Sequence, residues 1–377
     1  MIDNTPPLCE RYKNVIATEP LVKHPPNGWI SGCLYDSTGR AIRLSQRFGG
    51  YHGDFYPNAD PARIATSDFA DLTVLKGRSL YLGHYMPHYG HFLVEMLSTF
   101  WLYQEFSFFD HFLFHPFVFG ESMPSYLADA FHLFNVPIHK VLIIKSKMII
   151  QDVTIPERLI RLNMSAKAEA RRVYQYLADA MPKPKARPIA KQFYLSRVRI
   201  SLTTGQRAIL NEPIIESMLR RMGFITVYPE LLSLRDQISL FHRANIVCGL
   251  SGSALHNCVF MGRDSLLIEV GDPRSNDTTH PMQLICNRLS SVTYRFIPFS
   301  GKILNNNKQL GLIECSKVIP EIEDLLRQYL LEQRLAPTVR SRPIPVSLRN
   351  YCNNMLMISV NILRLFKWWL IDGRPNL

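Results

Sequence analysis

Ala244-Asn245-Ile246-Val247-Cys248-Gly249-Leu250-Ser251-Gly252-Ser253-Ala254 decides the fold. The apolar stretch Ala244 to Cys248 is short and rich in β-branched residues, and it closes on glycine, so it reads as a buried strand. Gly249 to Ser253 is the turn that follows, a helix runs on to about Met261, and Leu266 to Val270 reads as the next strand. Working outward, Gln192 to Ser196 reads as a strand and Asn211 to Met222 as a helix stopped by Gly223. Ile225 to Val227 is a third short strand, and Ser233 with Asp236 forms a capping box that opens another helix. Strands alternating with helices at this spacing need crossover connections, which predicts a parallel, doubly wound sheet.

The first half is less regular. Ser79 to Gly83, Phe112 to Phe119 and Val141 to Ile150 read as strands, with helices near 90–101 and 126–134, so an alternating α/β unit is expected there too. Between the halves, Met181 to Pro188 carries three prolines and three cations in eight residues, a composition that holds neither helix nor central strand. The expected division is an α/β domain at 1–180, a linker at 181–190, a ligand-binding domain at 191–330 and a basic tail at 331–377.

The 377 residues are 47% hydrophobic with a formal charge of +12, enough apolar content for a substantial core and a surplus that calls for an anionic partner. The tail from Arg334 onward has seven basic residues and one acidic residue, half of that surplus. There, Met355 to Ile371 drawn as a helix places Asn361, Arg364 and Lys367 on one stripe and leaves a wide apolar face ending in Trp368 and Trp369. Such an amphipathic helix suits an anionic membrane surface without crossing it, and packing against the protein's own core is the competing use. No zinc-finger spacing, RNP-type motif or basic heptad helix supports nucleic acid as the partner. Seven scattered cysteines, mostly among apolar neighbours, and a polar N-terminus point to a cytoplasmic protein, peripheral on the inner face of the membrane.

In an open α/β sheet ligands collect beyond the carboxyl ends of the strands, where a small-residue turn brings bare N–H groups to a phosphate. Gly249 to Ala254 has that position. Gly252 permits close approach, and Ser251 and Ser253 add hydroxyls, yet the spacing is neither the dinucleotide fingerprint nor the P-loop. Tyr194-Leu195-Ser196-Arg197, Asn211-Glu212, Pro229-Glu230 with Gln237, Gly249 to Asn257 and Ile268-Glu269 resemble, in order, the landmarks of the family 61 glycosyltransferases. Asn257-Cys258-Val259-Phe260-Met261 is similar to the family's Asn-Leu-Leu-Phe-Met-like stretch, and Tyr89-Gly90-His91-Phe92-Leu93-Val94-Glu95 to its Tyr-x-His-x-x-x-acid segment. Ser251 departs from the pattern, standing where many members carry a histidine before the glycine.

The resemblance implies a GT-B-like fold, two Rossmann-like domains facing a cleft, and inverting transfer of a hexosyl or pentosyl group from a nucleotide sugar. It also implies a bacterial surface glycan (capsule, exopolysaccharide or lipopolysaccharide), free or lipid-linked, as acceptor. No Asp-x-Asp metal motif is present, so the expected mechanism uses no metal and no cofactor beyond the donor substrate. Inversion needs a base for the acceptor hydroxyl and cations for the departing diphosphate. His91 and Glu95, one helical turn apart, are the candidates for the base. Glu95 is favoured because the resembling position is acidic, with His91 as its orienter or as the base itself. His84, His88, His91 and Glu95 also carry zinc-ligand chemistry, without a second ligand set. Arg197, with Arg199 beside it, is expected to bind diphosphate, since guanidinium pairs bidentately with its oxygens. Asn211, Glu212, Asn257, Glu269 and His88 complete the expected substrate contacts, although Asn211 and Glu212 open a helix and capping competes as their role. A catalytically silent glycan- or lipid-binding protein of the same fold is the alternative reading.

Overall fold

The computed structural model describes residues 1–19, 21–24, 29–47, 62–65, 71–85, 88–116, 123–182, 192–205, 207–274 and 277–332. Most of the expected linker and the whole of the amphipathic segment 355–371 lie outside these residues. Among the described residues no helix is long and apolar enough to cross a membrane.

The second half follows the expectation closely. Strands β7 (Gln192–Leu195), β8 (Ile225–Val227), β9 (Ile246–Leu250), β10 (Leu266–Val270) and β11 (Thr293–Ile297) form one parallel sheet in the order β8-β7-β9-β10-β11. With parallel strands covered on both sides, alternate residues serve two cores. Phe193, Leu195, Val247 and Leu267 face one, and Tyr194, Ile246, Cys248, Leu266 and Ile268 face the other, beneath helices α4 (Glu212–Arg221) and α7 (Cys315–Glu332). The order reverses between β7 and β9, and the crevice beyond the carboxyl ends at such a reversal is where doubly wound sheets bind ligands. Arg197 follows β7 and Ser251-Gly252 follows β9, so both stand at that crevice.

The first half differs from a Rossmann-like unit. Strands β1 (Cys9–Ala17), β2 (Leu34–Tyr35), β3 (Val74–Tyr85), β4 (His111–Pro116), β5 (Val141–Ile143) and β6 (Met148–Pro156) make a mixed sheet ordered β2-β1-β6-β3-β4-β5. Strands β6, β3, β4 and β5 are parallel, whereas β1 runs antiparallel to β6 and β2 to β1. The apolar run 141–150, read as one strand, is two, because Lys145, Ser146 and Lys147 lead the chain from one sheet position to another.

The helices α1 (Ser125–Leu133) and α2 (Ala170–Asp179) belong in sequence to the first half. Their apolar faces are buried in one continuous core with α5 (Leu234–Arg243) and α6 (Pro281–Ser290) of the second. The expected cap of α5 is present: the Ser233 hydroxyl oxygen accepts from the Asp236 N–H at 3.1 Å. Within the first half Tyr174 of α2 donates to the Leu93 carbonyl at 2.9 Å, and across the seam Tyr89 donates to Asn257 at 2.7 Å. A shared apolar core and buried hydrogen bonds hold the segment around residue 90 against the turn around residue 252.

Candidate active site

Glu95 sits on an irregular helix. The run opens with one α turn at Tyr89–His91, widens into a π turn at Phe92–Met96, and tightens into a 3₁₀ helix at Leu97–Phe108. The expected uniform helix is therefore broken at Glu95. Short π turns concentrate at functional sites because the extra residue re-aims a side chain. The turn buries Glu95 to 2% exposure, and three groups close on its carboxylate. Arg47 donates through Nε and Nη2 at 3.1 and 3.0 Å, Arg158 through Nη1 at 3.2 Å, and His91 through Nδ1 at 2.5 Å. Burial alone would raise the pKa of Glu95, but Arg47, the His91 hydrogen bond and Arg158 hold the carboxyl well below its usual range.

A carboxylate only accepts, so Nδ1 of His91 carries the proton in this bond, and in the neutral tautomer that follows Nε2 is the nitrogen with the lone pair. The His91 side chain retains 28% exposure against 2% for Glu95. Arg158 reaches this carboxylate past a bulge in β3, where the register to β4 shifts between Tyr81 and His84. Gly83 there has φ +87°, and a Cβ would come within 2.8 Å of Arg158 Nη2. His88 packs edge-on against His91 at 5.1 Å, and burial first, then His91 and Arg207, push it down to about 4, so it is a neutral imidazole. His84 points away: its Nε2 bonds the Gly32 carbonyl at 2.8 Å. Among the described residues no group of three or more His, Cys, Asp and Glu side chains has metal-holding geometry.

The turn beyond β9 supplies the opposite wall. The expected helix after it is a 3₁₀ segment, Ser253–Phe260, entered through Gly252. The first N–H groups of such a segment have no intrahelical acceptor and face the crevice end of the sheet. Gly252 is extended, with φ 165°, so its role is space rather than conformation: a Cβ would meet Arg197 Nη1 at 2.7 Å. Arg207 Nη2 and Arg274 Nη2 both donate to the Ser251 carbonyl, at 3.5 and 3.2 Å. Asp272 receives Arg274 in a bidentate pair and lies 3.9 Å from Arg207. Arg207 itself is held in the left-handed region at φ 54°, an uncommon state for a non-glycine residue and one that clusters at ligand sites.

The two walls touch. A Cβ on Gly90 would lie 2.7 Å from Ser253 Oγ, so glycine there lets the His91 segment press against the turn. Imidazole and guanidinium groups thus converge from the two halves within two residues of one contact.

Several expected contacts serve the framework instead. Glu212 is fully buried and accepts from the Arg197 N–H at 2.7 Å and the Tyr194 hydroxyl at 3.0 Å, fixing the backbone from which Arg197 projects. Asn211 makes no cap of α4; its amide ties both backbone groups of Ile313, at 2.7 and 2.9 Å. Glu269 accepts from Ser251 Oγ at 2.6 Å and Tyr294 at 2.7 Å, bracing the turn from beneath. Asn257 bonds Tyr89, Gln237 and the Ala254 carbonyl, and is wholly buried. A Cβ on Gly249 would press on Leu195 at 3.1 Å, a tight fit beside the strand. Arg199 leaves the crevice: it lies in the first turn of α3 (Val198–Thr204), which carries it onto the Tyr228 ring at 5.8 Å. Arg47, Arg158, Arg207, Asp272 and Arg274 were not singled out from sequence. They are isolated charges with no motif around them, and only the Asp272-Pro273-Arg274 run just after a predicted strand offered a signal.

Compared with known families, residues 89–268 match the family model described as Glycosyltransferase 61, and the match supports a glycosyltransferase. The matched stretch begins beside His91 and takes in Glu95, Arg197 and the turn at Ser251 to Ala254. No curated protein matches the chain.

Proposed function

We propose, with the family 61 similarity as premise, that this protein is an inverting glycosyltransferase of GT-B-like organisation. It moves a hexosyl or pentosyl group from a nucleotide sugar to a hydroxyl of a glycan or lipid-linked glycan, without a metal ion. The observation that carries the reading is the meeting of the His91–Glu95 pair with the arginines around Ser251-Gly252 across the Gly90–Ser253 contact. Chemistry assigns the roles. Glu95 has its oxygens committed to two guanidinium groups and an imidazole, so it is a weak base. His91, with its proton fixed on Nδ1, offers Nε2 to the acceptor hydroxyl, and Glu95 stabilises the imidazolium that forms. As the glycosidic bond to the donor breaks, charge builds on the β-phosphate. Arg197, Arg207 and Arg274, with the bare N–H groups of Ser253 and Ala254, are the preorganised donors for it. Neutral His88 adds a hydrogen-bonding group without a further charge.

In this proposal the protein works at the inner face of a cell membrane, where its basic tail holds it near a growing surface polysaccharide. The test is thermal stabilisation by UDP-, GDP- and CMP-sugars and by UDP, with and without EDTA, beside Arg197→Ala. A ligand at a hundred times its dissociation constant stabilises by about 2.7 kcal/mol. A selective shift, insensitive to EDTA and lost in Arg197→Ala, is expected. A well-folded sample that no nucleotide stabilises would favour the silent glycan- or lipid-binding reading instead.

A further inference from the structure

Asp272 stands where an anionic ligand would. It lies two residues beyond β10, is 4% exposed, and takes Arg274 through Nε onto both carboxylate oxygens and through Nη2 onto Oδ2. The Arg274 N–H also donates to Oδ1 at 3.0 Å, which fixes the carboxylate on its own loop. Arg207 approaches the same Oδ2 at 3.9 Å, and the Asp272 charge reaches Arg197 as well. Arg207 and Arg274 meanwhile converge on the Ser251 carbonyl, and Arg197 on Gly252. Three guanidinium groups therefore share one rim carboxylate. The other acids nearby are occupied from beneath: Glu269 by Ser251 and Tyr294, Glu212 by the Arg197 N–H and Tyr194.

The reaction changes the charge this cradle must hold. Each phosphate of the donor's diphosphate bridge carries one negative charge. Once the sugar leaves, the terminal phosphate of the product has a second ionisation with a pKa of about 6, so near neutral pH the product is more negative than the donor by close to one charge. A cradle of three unopposed arginines would favour the product. We propose that Asp272 is the charge-setting counter-ion of the leaving-group cradle. By holding Arg207 and Arg274 in competition with phosphate, it matches the cradle to the donor and hastens release of the nucleoside diphosphate. This rests on the donor-site reading above. Asp272 acts through the arginines and is a positioning residue.

The experiment compares dissociation constants of UDP against UDP-glucose and GDP against GDP-mannose for the wild type, Asp272→Asn, Asp272→Ser and Asp272→Glu, each checked for a native melting transition. Steady-state kinetics with product added accompany them. Removing the charge is expected to tighten nucleoside diphosphate on the order of tenfold and the nucleotide sugar less. The product-to-donor affinity ratio then shifts toward product, and kcat falls with KM. Asp272→Glu, which keeps the charge, is expected to restore the wild-type ratio, an outcome a merely structural role does not produce. The serine variant keeps the comparison available if the asparagine variant does not fold. Weaker diphosphate binding in both neutral variants, or an unchanged ratio, overturns the inference while leaving the donor site intact. A wild type that binds neither nucleotide nor nucleotide sugar overturns the donor-site reading and this inference with it.

Discussion

Glu95 in the first half and Glu212 in the second are both sealed from solvent, yet the protein treats them oppositely. Glu95 is met by two guanidinium groups and an imidazole and is held ionised, well below the ordinary range. Glu212 is met by one backbone N–H and one hydroxyl, with the Arg197 charge secondary, and burial pushes it up to about 7. Burial penalises the charged form of both. Whether formal charges or neutral dipoles answer it decides which carboxylate stays ionised beside His91 and which is pushed up toward neutrality beneath Arg197.

The severest challenge to that contrast is Glu95→Gln. It leaves Arg47 and Arg158 buried without their carboxylate and His91 without its orienting acceptor. Breaking a buried pair from one side costs about 3–5 kcal/mol, so a fall of that order in unfolding free energy is expected from urea titration, together with loss of transfer. A variant of wild-type stability would mean the two arginines are satisfied by other groups and that the Glu95 network is incidental.

His91→Ala tests the chemistry rather than the framework. Losing a positioned general base lowers kcat on the order of 10²–10⁴-fold, while the donor, held by the opposite wall, binds as before. Measured kcat and donor KM separate the two. If kcat survives, the base lies elsewhere and the His91–Glu95 pair is structural.

These residues differ in how far the chain announced them. The strands at 225–227 and 266–270, the Ser233 cap and the Gly252 turn were legible, because short apolar runs closed by glycine or a capping residue leave little conformational choice. Arg197 was legible from its place at a strand end. The π turn at Glu95 was not, since a helical period of 3.6 gives no warning of an inserted residue, and with it went the arginines that turn recruits. Arg47, Arg158, Arg207 and Arg274 come from four separate loops, and only tertiary packing shows that they point at two places. Arg199 shows the opposite error: adjacency to Arg197 suggested a shared task, but α3 begins between them and turns Arg199 onto Tyr228. The mixed first sheet was equally hidden, because β1 and β2 lie in irregular sequence, β1 pairing with a strand over a hundred residues away and β2 only with β1.

The gentlest probe is Glu212→Gln, and its sign is fixed by linkage. The carboxyl titrates near 4.5 in the unfolded chain and at about 7 in the native protein. Below pH 4.5 both states hold the proton. Between 4.5 and 7 the native state keeps a proton that the unfolded chain has released, so the Glu212 contribution to stability declines as pH rises through this window and is gone above it. Glu95 has the reverse dependence: its contribution is present above about 4.5 and disappears only on acidification, as the depressed native carboxyl takes up its proton. Glutamine resembles the protonated form at position 212. Its carbonyl can still accept from the Arg197 N–H and Tyr194, and its amide would occupy the place of Oε2, which has no hydrogen-bond partner among the described residues. The difference in stability between Glu212→Gln and wild type should therefore be small at pH 5 and grow in favour of the variant up to pH 8, with transfer activity retained because Arg197 stays anchored. A difference that is flat with pH would mean that Glu212 is ionised throughout, like Glu95, and that the contrast between the two carboxylates is wrong.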